Sequence, residues 1–495
     1  MSPLSLGRKF KKARDLVRCG EFAEALILYQ ALARQFPHAL AEYGSAAAES
    51  GDFAFADRLW GRFRARQRKD VRALFWLAQQ YGMVGLHTQA GALYAEAAGT
   101  EATNLEAQIN LASFLARTKS IEEARAAVSR CRELDASSEW VRYLSAHLDR
   151  RENKLAEAER QCRELITSGV KLPQVRYSCF SELANVLDKM GRFDEAVASL
   201  EEGKKSIRQP LSVAADWRAW FKVPEEEVGR VKSLPKNILE KWGKTFPPEA
   251  RVAVGPVAFL SGSSRSGTTL LERILDAHPA VAACDESMVF KKIGPRIDIS
   301  ADSIPAPTLN VMRELYINSM GVVLGTLPGG KTLLDKNPAR TVWLPAFLRT
   351  FPELRVLIAL RDPRDVIISL YFQDHPSTNP LTVEQLAYYY TLVMDCWLAV
   401  REWDGLTWME TKYEDVVVDP RKEGGRVTRF LGLEWHENQE RFHEHNREKP
   451  ILSNNYTDVT QPVYKRAVGR WRVYGKLLAP ALSMLGPYCK KFGYE

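Results

Sequence analysis

The chain has 495 residues, 45% apolar and 26% charged, the composition of an ordinary globular protein with room for about three domains. That balance excludes a disordered, collagen-like or disulfide-stapled chain. The net charge is +8, and since 29 basic residues face 28 acidic ones from position 256 onward, nearly all of the surplus lies in the first 255 residues. No apolar run approaches the roughly 18–20 residues needed to cross a bilayer. The basic start Met1–Gly20 leads to Glu21 and Glu24 rather than to an apolar core and cleavage site, so it does not read as a signal peptide and the expected location is cytoplasmic. Seven scattered cysteines without metal-ligand spacing point to a reducing compartment and to no bound metal. The densest basic run, Arg62–Lys69, lies in helical repeat sequence and reads as a solvated face or docking patch rather than as a nucleic-acid site.

Residues 4–208 are periodic. A turn residue is followed five positions later by alanine in Gly20/Ala25, Gly51/Ala56, Gly85/Ala90, Lys119/Ala124, Asn153/Ala158 and Gly191/Ala196. The turns at 51, 85, 119 and 153 recur every 34 residues. Four residues past each alanine stands a larger side chain: Tyr29, Trp60, Tyr94, Val128, Cys162 and Leu200. Antiparallel helices need a small residue where they cross and a large one to fill the groove beside it. The pattern resembles tetratricopeptide (TPR) repeats. That resemblance implies an all-α superhelix whose groove docks a protein or peptide; scaffolding the C-terminal half, or pairing two copies as a homodimer, fits the same pattern.

From 209 to 255 the period is lost. Pro210, Pro224, Pro235, Pro247 and Pro248 accumulate beside Trp217, Trp220 and Trp242. Proline interrupts helices and tryptophan needs a surface to bury against, so this segment reads as a packed connector.

Residues 256–495 read as a catalytic domain. Val254–Leu260 is an apolar run with the character of a strand, Ser261–Thr269 is small and polar, and Leu270, Leu271, Ile274 and Leu275 form a helical stripe. Strand, Gly/Ser loop and helix N-terminus together cradle a phosphate. Gly262, Gly267 and Thr269 stand at the spacing of a nucleotide-hydrolase phosphate loop, but Thr268 takes the place of its lysine, which argues against ATP or GTP hydrolysis. Arg265 is the loop's cation. A second strand, Arg355–Leu360, runs into Arg361-Asp362-Pro363-Arg364-Asp365 and a helix carrying Ser369. Arginine at a strand's carboxyl end suits a bidentate phosphate contact. Leu333–Lys336 is a further strand ending in a cation. Cys284-Asp285-Glu286-Ser287 follows the loop's helix and brings a carboxylate back to the loop's mouth, where desolvation suits it to accepting a proton.

Together these motifs resemble those of sulfotransferases that use 3′-phosphoadenosine 5′-phosphosulfate (PAPS), nearest the branch that includes the tyrosylprotein sulfotransferases and TPR-containing bacterial relatives. The resemblance covers about the last 240 residues. It implies a three-layer α/β, P-loop-like domain with a mainly parallel sheet and a 5′-phosphosulfate held by Ser264, Arg265, Ser266, Gly267, Thr268 and Thr269. It places the 3′-phosphate on Arg361 and Ser369, the general base at Glu286 in preference to Asp285, and Lys336 beside the bridging oxygen. Tyr413, after an expected strand Leu406–Met409, would pack near the nucleotide. Gln461–Tyr464 and Gly469–Arg472 would close the site, with Arg470 or Arg472 compensating for an unusual 458–461 stretch. His375 is a competing base. The implied partners are PAPS and its product 3′-phosphoadenosine 5′-phosphate (PAP), with a tyrosine acceptor docked by the repeats. A glycan or small-molecule acceptor, or a non-catalytic repeat protein with a decayed nucleotide site, are the alternative readings.

Overall fold

The structure, a computed structural model, describes residues 3–36, 38–118, 121–208, 221–326, 329–375, 378, 381–445 and 466–494. The N-terminal region is a series of antiparallel helical pairs, from Pro3–Cys19 with Phe22–Gln35 to Pro173–Lys189 with Phe193–Arg208. The expected crossing residues Ala25, Ala56, Ala90, Ala124, Ala158 and Ala196 are all buried, as are Tyr29, Trp60, Val128, Cys162 and Leu200; Tyr94 is half-buried. At the turn between the paired helices the chain passes through a left-handed residue, with φ of 89° at Gly51 and 84° at Gly85. Asn153 takes the same conformation at φ 63°, a substitution that asparagine tolerates best among residues with a side chain. Lys119 lies outside the described residues.

In the connector, helices Lys222–Ser233 and Ile238–Thr245 pack onto the remainder. Trp242 is buried, with the Arg349 guanidinium 5.1 Å from its ring and Trp403 edge-on at 5.6 Å. Pro210, Trp217 and Trp220 lie outside the described residues.

The C-terminal half carries five parallel strands, β1 (Val257–Gly262), β2 (Val281–Asp285), β3 (Thr332–Lys336), β4 (Arg355–Leu360) and β5 (Trp408–Lys412), in the order β2-β3-β1-β4-β5. β1 and β3 are buried throughout, the mark of a parallel sheet covered on both faces. Ala258, Leu260, Leu334 and Leu357 face one layer with Leu271, Leu275 and Val427. Phe259, Leu333, Val356 and Ile358 face the other with Phe347, Leu386 and Trp397. β5 begins two residues later than the expected strand, because Leu406 closes a turn onto the Trp403 carbonyl at 3.4 Å. The chain passes from β1 to the β2–β3 side and from β3 back across β1 to β4. Strand order therefore reverses at the carboxyl end of β1, where such sheets form a crevice.

The repeat array is docked on this half at two places. Ser319 Oγ donates to the Gly51 carbonyl (2.8 Å) and accepts the Phe53 N–H (3.1 Å), while Arg296 donates to the Ser50 carbonyl (2.7 Å). At the far end Ser178 Oγ donates to Asp374 (3.2 Å), and Arg470 pairs with Asp188 (2.9 Å). No helix among the described residues is long and apolar enough to cross a membrane.

Candidate active site

All five strands deliver residues of interest from their carboxyl ends, so a set scattered from 262 to 413 converges on one edge. β1 runs into the Ser263–Gly267 loop, and the helix Thr268–Asp276 begins at Gly267, whose φ is 90°. A Cβ at Gly267 would lie 2.4 Å from the Tyr413 ring, and one at Gly262 would lie 2.3 Å from the Ala359 carbonyl oxygen. Both glycines are thus required by close approach as well as by backbone angle. The loop is held internally by Ser266 Oγ donating to the Ser263 carbonyl (2.6 Å). Thr268 and Thr269 are buried in the first turn of the helix, and Ser264 and Arg265 are half-buried.

Arg265 and Glu286 both hold positive φ, 71° and 53°, a strain of about 1–3 kcal/mol each that concentrates at functional sites. The Arg265 Nε donates to Ser369 Oγ (2.8 Å), and Arg361 donates to the Arg265 carbonyl (3.0 Å). The two anion motifs read separately from the sequence are therefore one hydrogen-bonded unit. Arg361 also donates to the Ala467 carbonyl (2.6 Å), and its guanidinium lies 4.8 Å from the Tyr413 ring. Its Nε is buried and has no hydrogen-bond partner among the described residues. Tyr413 underlies both Gly267 and Arg361.

Across the crevice, the Lys336 side chain is 0% exposed at the end of β3. It meets Glu286 Oε1 at 3.1 Å and Thr269 Oγ1 at 3.4 Å, and forms a short ion pair with Asp285. The Glu286 N–H donates to the Lys336 carbonyl at 2.7 Å, fixing the β2 and β3 ends to each other. The Glu286 side chain is 53% exposed, so the desolvation expected at the mouth falls on its neighbours instead. Burial opposes the charges on Lys336 and Asp285, but their mutual attraction outweighs it. The lysine is held above its ordinary pKa and Asp285, helped by Arg273, below its own. Burial pushes Asp335 up to about 7, against the hydrogen bond it accepts from Tyr316 OH at 3.0 Å. The geometry separates the adjacent acids: Asp285 is a buried counter-ion, and Glu286 is a carboxylate open to an incoming group.

His375 is exposed in the loop after the helix Pro363–Tyr371. Arg472 is exposed in the turn Arg470–Tyr474, its guanidinium 5.1 Å from the Trp471 ring, whereas Arg470 is occupied by Asp188. The 446–465 segment, with the 458–461 stretch and Gln461–Tyr464, lies outside the described residues. Among the described residues no group of side chains could hold a metal ion.

Two site residues escaped the sequence reading. Asp365 accepts the Gly469 and Trp471 N–H groups, both at 2.7 Å, and so ties the closing segment to the second anion motif. Arg340, in the turn after Lys336, is half-buried, its Nε has no hydrogen-bond partner among the described residues, and burial lowers its pKa beside Glu286, Asp335 and Tyr389. The signal for Asp365 was the second acid of Arg361–Asp365, in the helix's first turn.

The chain is similar to several known proteins. Residues 256–437 match the model described as the sulfotransferase family. A putative protein-tyrosine sulfotransferase of Caenorhabditis briggsae is 27% identical over 195 residues, 38% of this chain and 68% of that protein. Protein-tyrosine sulfotransferase 2 of Gallus gallus is 21% identical over 273 residues, 48% of this chain and 70% of that protein. An uncharacterized protein of Aquifex aeolicus is 22% identical over 358 residues, 68% of this chain but 45% of that protein. Similar solved structures include the sulfotransferase domain of the Synechococcus PCC 7002 olefin synthase, with TM-score 0.35 and 18% identity, covering 49% of this chain and 97% of that one. A tetratricopeptide repeat protein from Parabacteroides merdae gives TM-score 0.34 and 19% identity over 40% of this chain and 78% of that one. The C-terminal half thus contains a region similar to the sulfotransferase family, and a series of paired helices precedes it.

Proposed function

We propose that this chain transfers the sulfuryl group of PAPS to the hydroxyl of a tyrosine in a protein or peptide, with residues 256–495 as the catalytic domain, 4–208 as the repeat domain and 209–255 as the packed connector. The observation that carries the reading is the buried Lys336 ammonium set between open Glu286 and Thr269 of the anion loop. Two features suit the donor: the cradle beneath Gly262 and Gly267 admits only backbone, and Arg361 keeps a buried N–H without a partner among the described residues. PAPS supplies an activated sulfuryl group on a good leaving phosphate. The loop N–H groups with Ser264, Arg265, Ser266, Thr268 and Thr269 bind its 5′ end, and Arg361 and Ser369 bind its 3′-phosphate. Tyr413 braces Arg361, and Arg472 adds a cation at the closing segment.

Glu286 takes the proton from the acceptor hydroxyl. Lys336, kept charged by Asp285, offsets negative charge on the departing phosphate, as fixed cations do in transfer of charged groups. The tyrosine acceptor is supported by the names of the relatives and by a repeat array docked beside the site. The test is incubation of the full chain with radiolabelled PAPS and, separately, a tyrosine peptide, a small phenol and a glycan. Label on the peptide tyrosine is expected. Transfer confined to the glycan or the phenol overturns the acceptor assignment, and no transfer by folded protein overturns the reaction.

A further inference from the structure

We propose that Asp188, at the end of the repeat helix Pro173–Lys189, is a positioning residue of the donor site, a reading that rests on the donor assignment above. Segment 466–474 lies against the second anion motif and is gripped from two sides. On its inner side Asp365 binds the Gly469 and Trp471 N–H groups, and Arg361 donates to the Ala467 carbonyl. On its outer side the Asp188 carboxylate accepts from Arg470, with Nη2 at 2.9 Å and Nε at 3.3 Å, and from the Tyr474 hydroxyl. The Arg470 guanidinium carbon lies over the Phe372 ring (4.7 Å), and Tyr474 meets Phe193 of the final repeat helix edge-on at 5.6 Å. A carboxylate between a guanidinium and a phenol makes charge-assisted hydrogen bonds, which are stronger and more directional than neutral ones.

The consequence for the donor runs through Arg361. One of its terminal nitrogens is committed to Ala467, so the position of the 466–474 segment sets the angle at which the rest of the guanidinium faces the crevice. Asp365 and Ser369 share the helix Pro363–Tyr371, which couples the same segment to the second expected phosphate ligand. Other contacts of the array, from Glu49, Ser50 and Gly51, end on residues 292–319. They fasten the repeats without touching this segment. Asp188 thus does something that general docking does not: it makes the last repeat a wall of the donor site's closing segment.

The test uses the full chain with Asp188→Ala, Asp188→Glu and, as a docking control, Glu49→Gln. Hydrogen exchange without ligand should accelerate at 466–474 in Asp188→Ala and stay unchanged there in Glu49→Gln. Calorimetric titration should show PAP bound about ten-fold more weakly by Asp188→Ala, the loss expected when hydrogen bonds to a charged group are removed. Asp188→Glu should recover part of it. Turnover at saturating PAPS should change little while the KM for PAPS rises. Equal PAP affinity and equal exchange in Asp188→Ala and wild type would overturn the proposal, as would an equal loss in Glu49→Gln. A wild-type chain that fails to bind PAP would refute the donor assignment and this proposal together, whereas wild-type binding with unchanged Asp188→Ala binding refutes this proposal alone.

Discussion

The adjacent carboxylates Asp285 and Glu286 should respond to loss of charge in opposite ways. Glu286→Gln removes a group whose side chain is 53% exposed and 3.1 Å from Lys336. A half-exposed ion pair is worth about 0–1 kcal/mol, so the variant should melt within about 2–3 °C of wild type. If Glu286 acts as the general base proposed above, the variant should nevertheless lose about 10²–10⁴-fold in turnover. Asp285→Asn removes a buried charge paired with both Lys336 and Arg273. Breaking such a pair costs about 3–5 kcal/mol, because the remaining buried charge loses its compensation. Thermal melting, PAP titration and initial rates on both variants separate the two effects. Glu286→Gln should bind PAP normally, melt normally and be inactive; Asp285→Asn should melt far earlier. Turnover by Glu286→Gln within three-fold of wild type, or a stable Asp285→Asn, would refute the division of labour between the two acids.

Gly267→Ala should weaken PAP binding. It puts a side chain at φ 90° and 2.4 Å from the Tyr413 ring, which costs roughly 1–2 kcal/mol in backbone strain before any steric displacement; calorimetry reads the loss, and unaltered affinity would contradict the cradle. His87, facing Asp285 and Arg117, is pushed by burial down to about 4. Its unfolded value near 6.5 means that the unfolded chain takes up the proton first as pH falls. Stability should drop between about pH 6.5 and 4, and His87→Gln should flatten that slope in pH-dependent melting. Asp365→Ala should free the Gly469 and Trp471 N–H groups and speed their hydrogen exchange, while the repeat helices keep wild-type protection.

Much of the architecture was legible because it rests on local spacing. The turn-to-alanine interval encodes helix crossings inside each repeat, and Ala56 with Trp60 or Ala90 with Tyr94 can be read within one window. Arg355–Leu360 is apolar and sharply bounded, and it forms β4 over those same residues. Arg265, Lys336 and Arg361 stand at or just past strand ends that the apolar runs mark, and Ser369 in the helix that follows one of them; the roles expected of them come from the resemblance to sulfotransferases. What stayed hidden depends on topology. Asp285 becomes the partner of Lys336 because β2 pairs with β3, which places Asp285 opposite Lys336. The contacts from Asp365 to Gly469 and from Asp188 to Arg470 join residues 104 and 282 positions apart; no local pattern marks Asp188, and the place of Asp365 in a helix's first turn does not reveal its distant partners. β5 starts late because the turn at Trp403–Leu406 takes up Leu406, the first residue of the strand expected over Leu406–Met409.

The donor assignment is tested most directly by titration of the full chain with PAP, ADP and ATP. It predicts that PAP binds tightly, that ADP and ATP, which lack a 3′-phosphate, bind far more weakly, and that Arg361→Ala removes the preference for PAP. Equal binding of PAP and ADP, or a preference that survives Arg361→Ala, would contradict it.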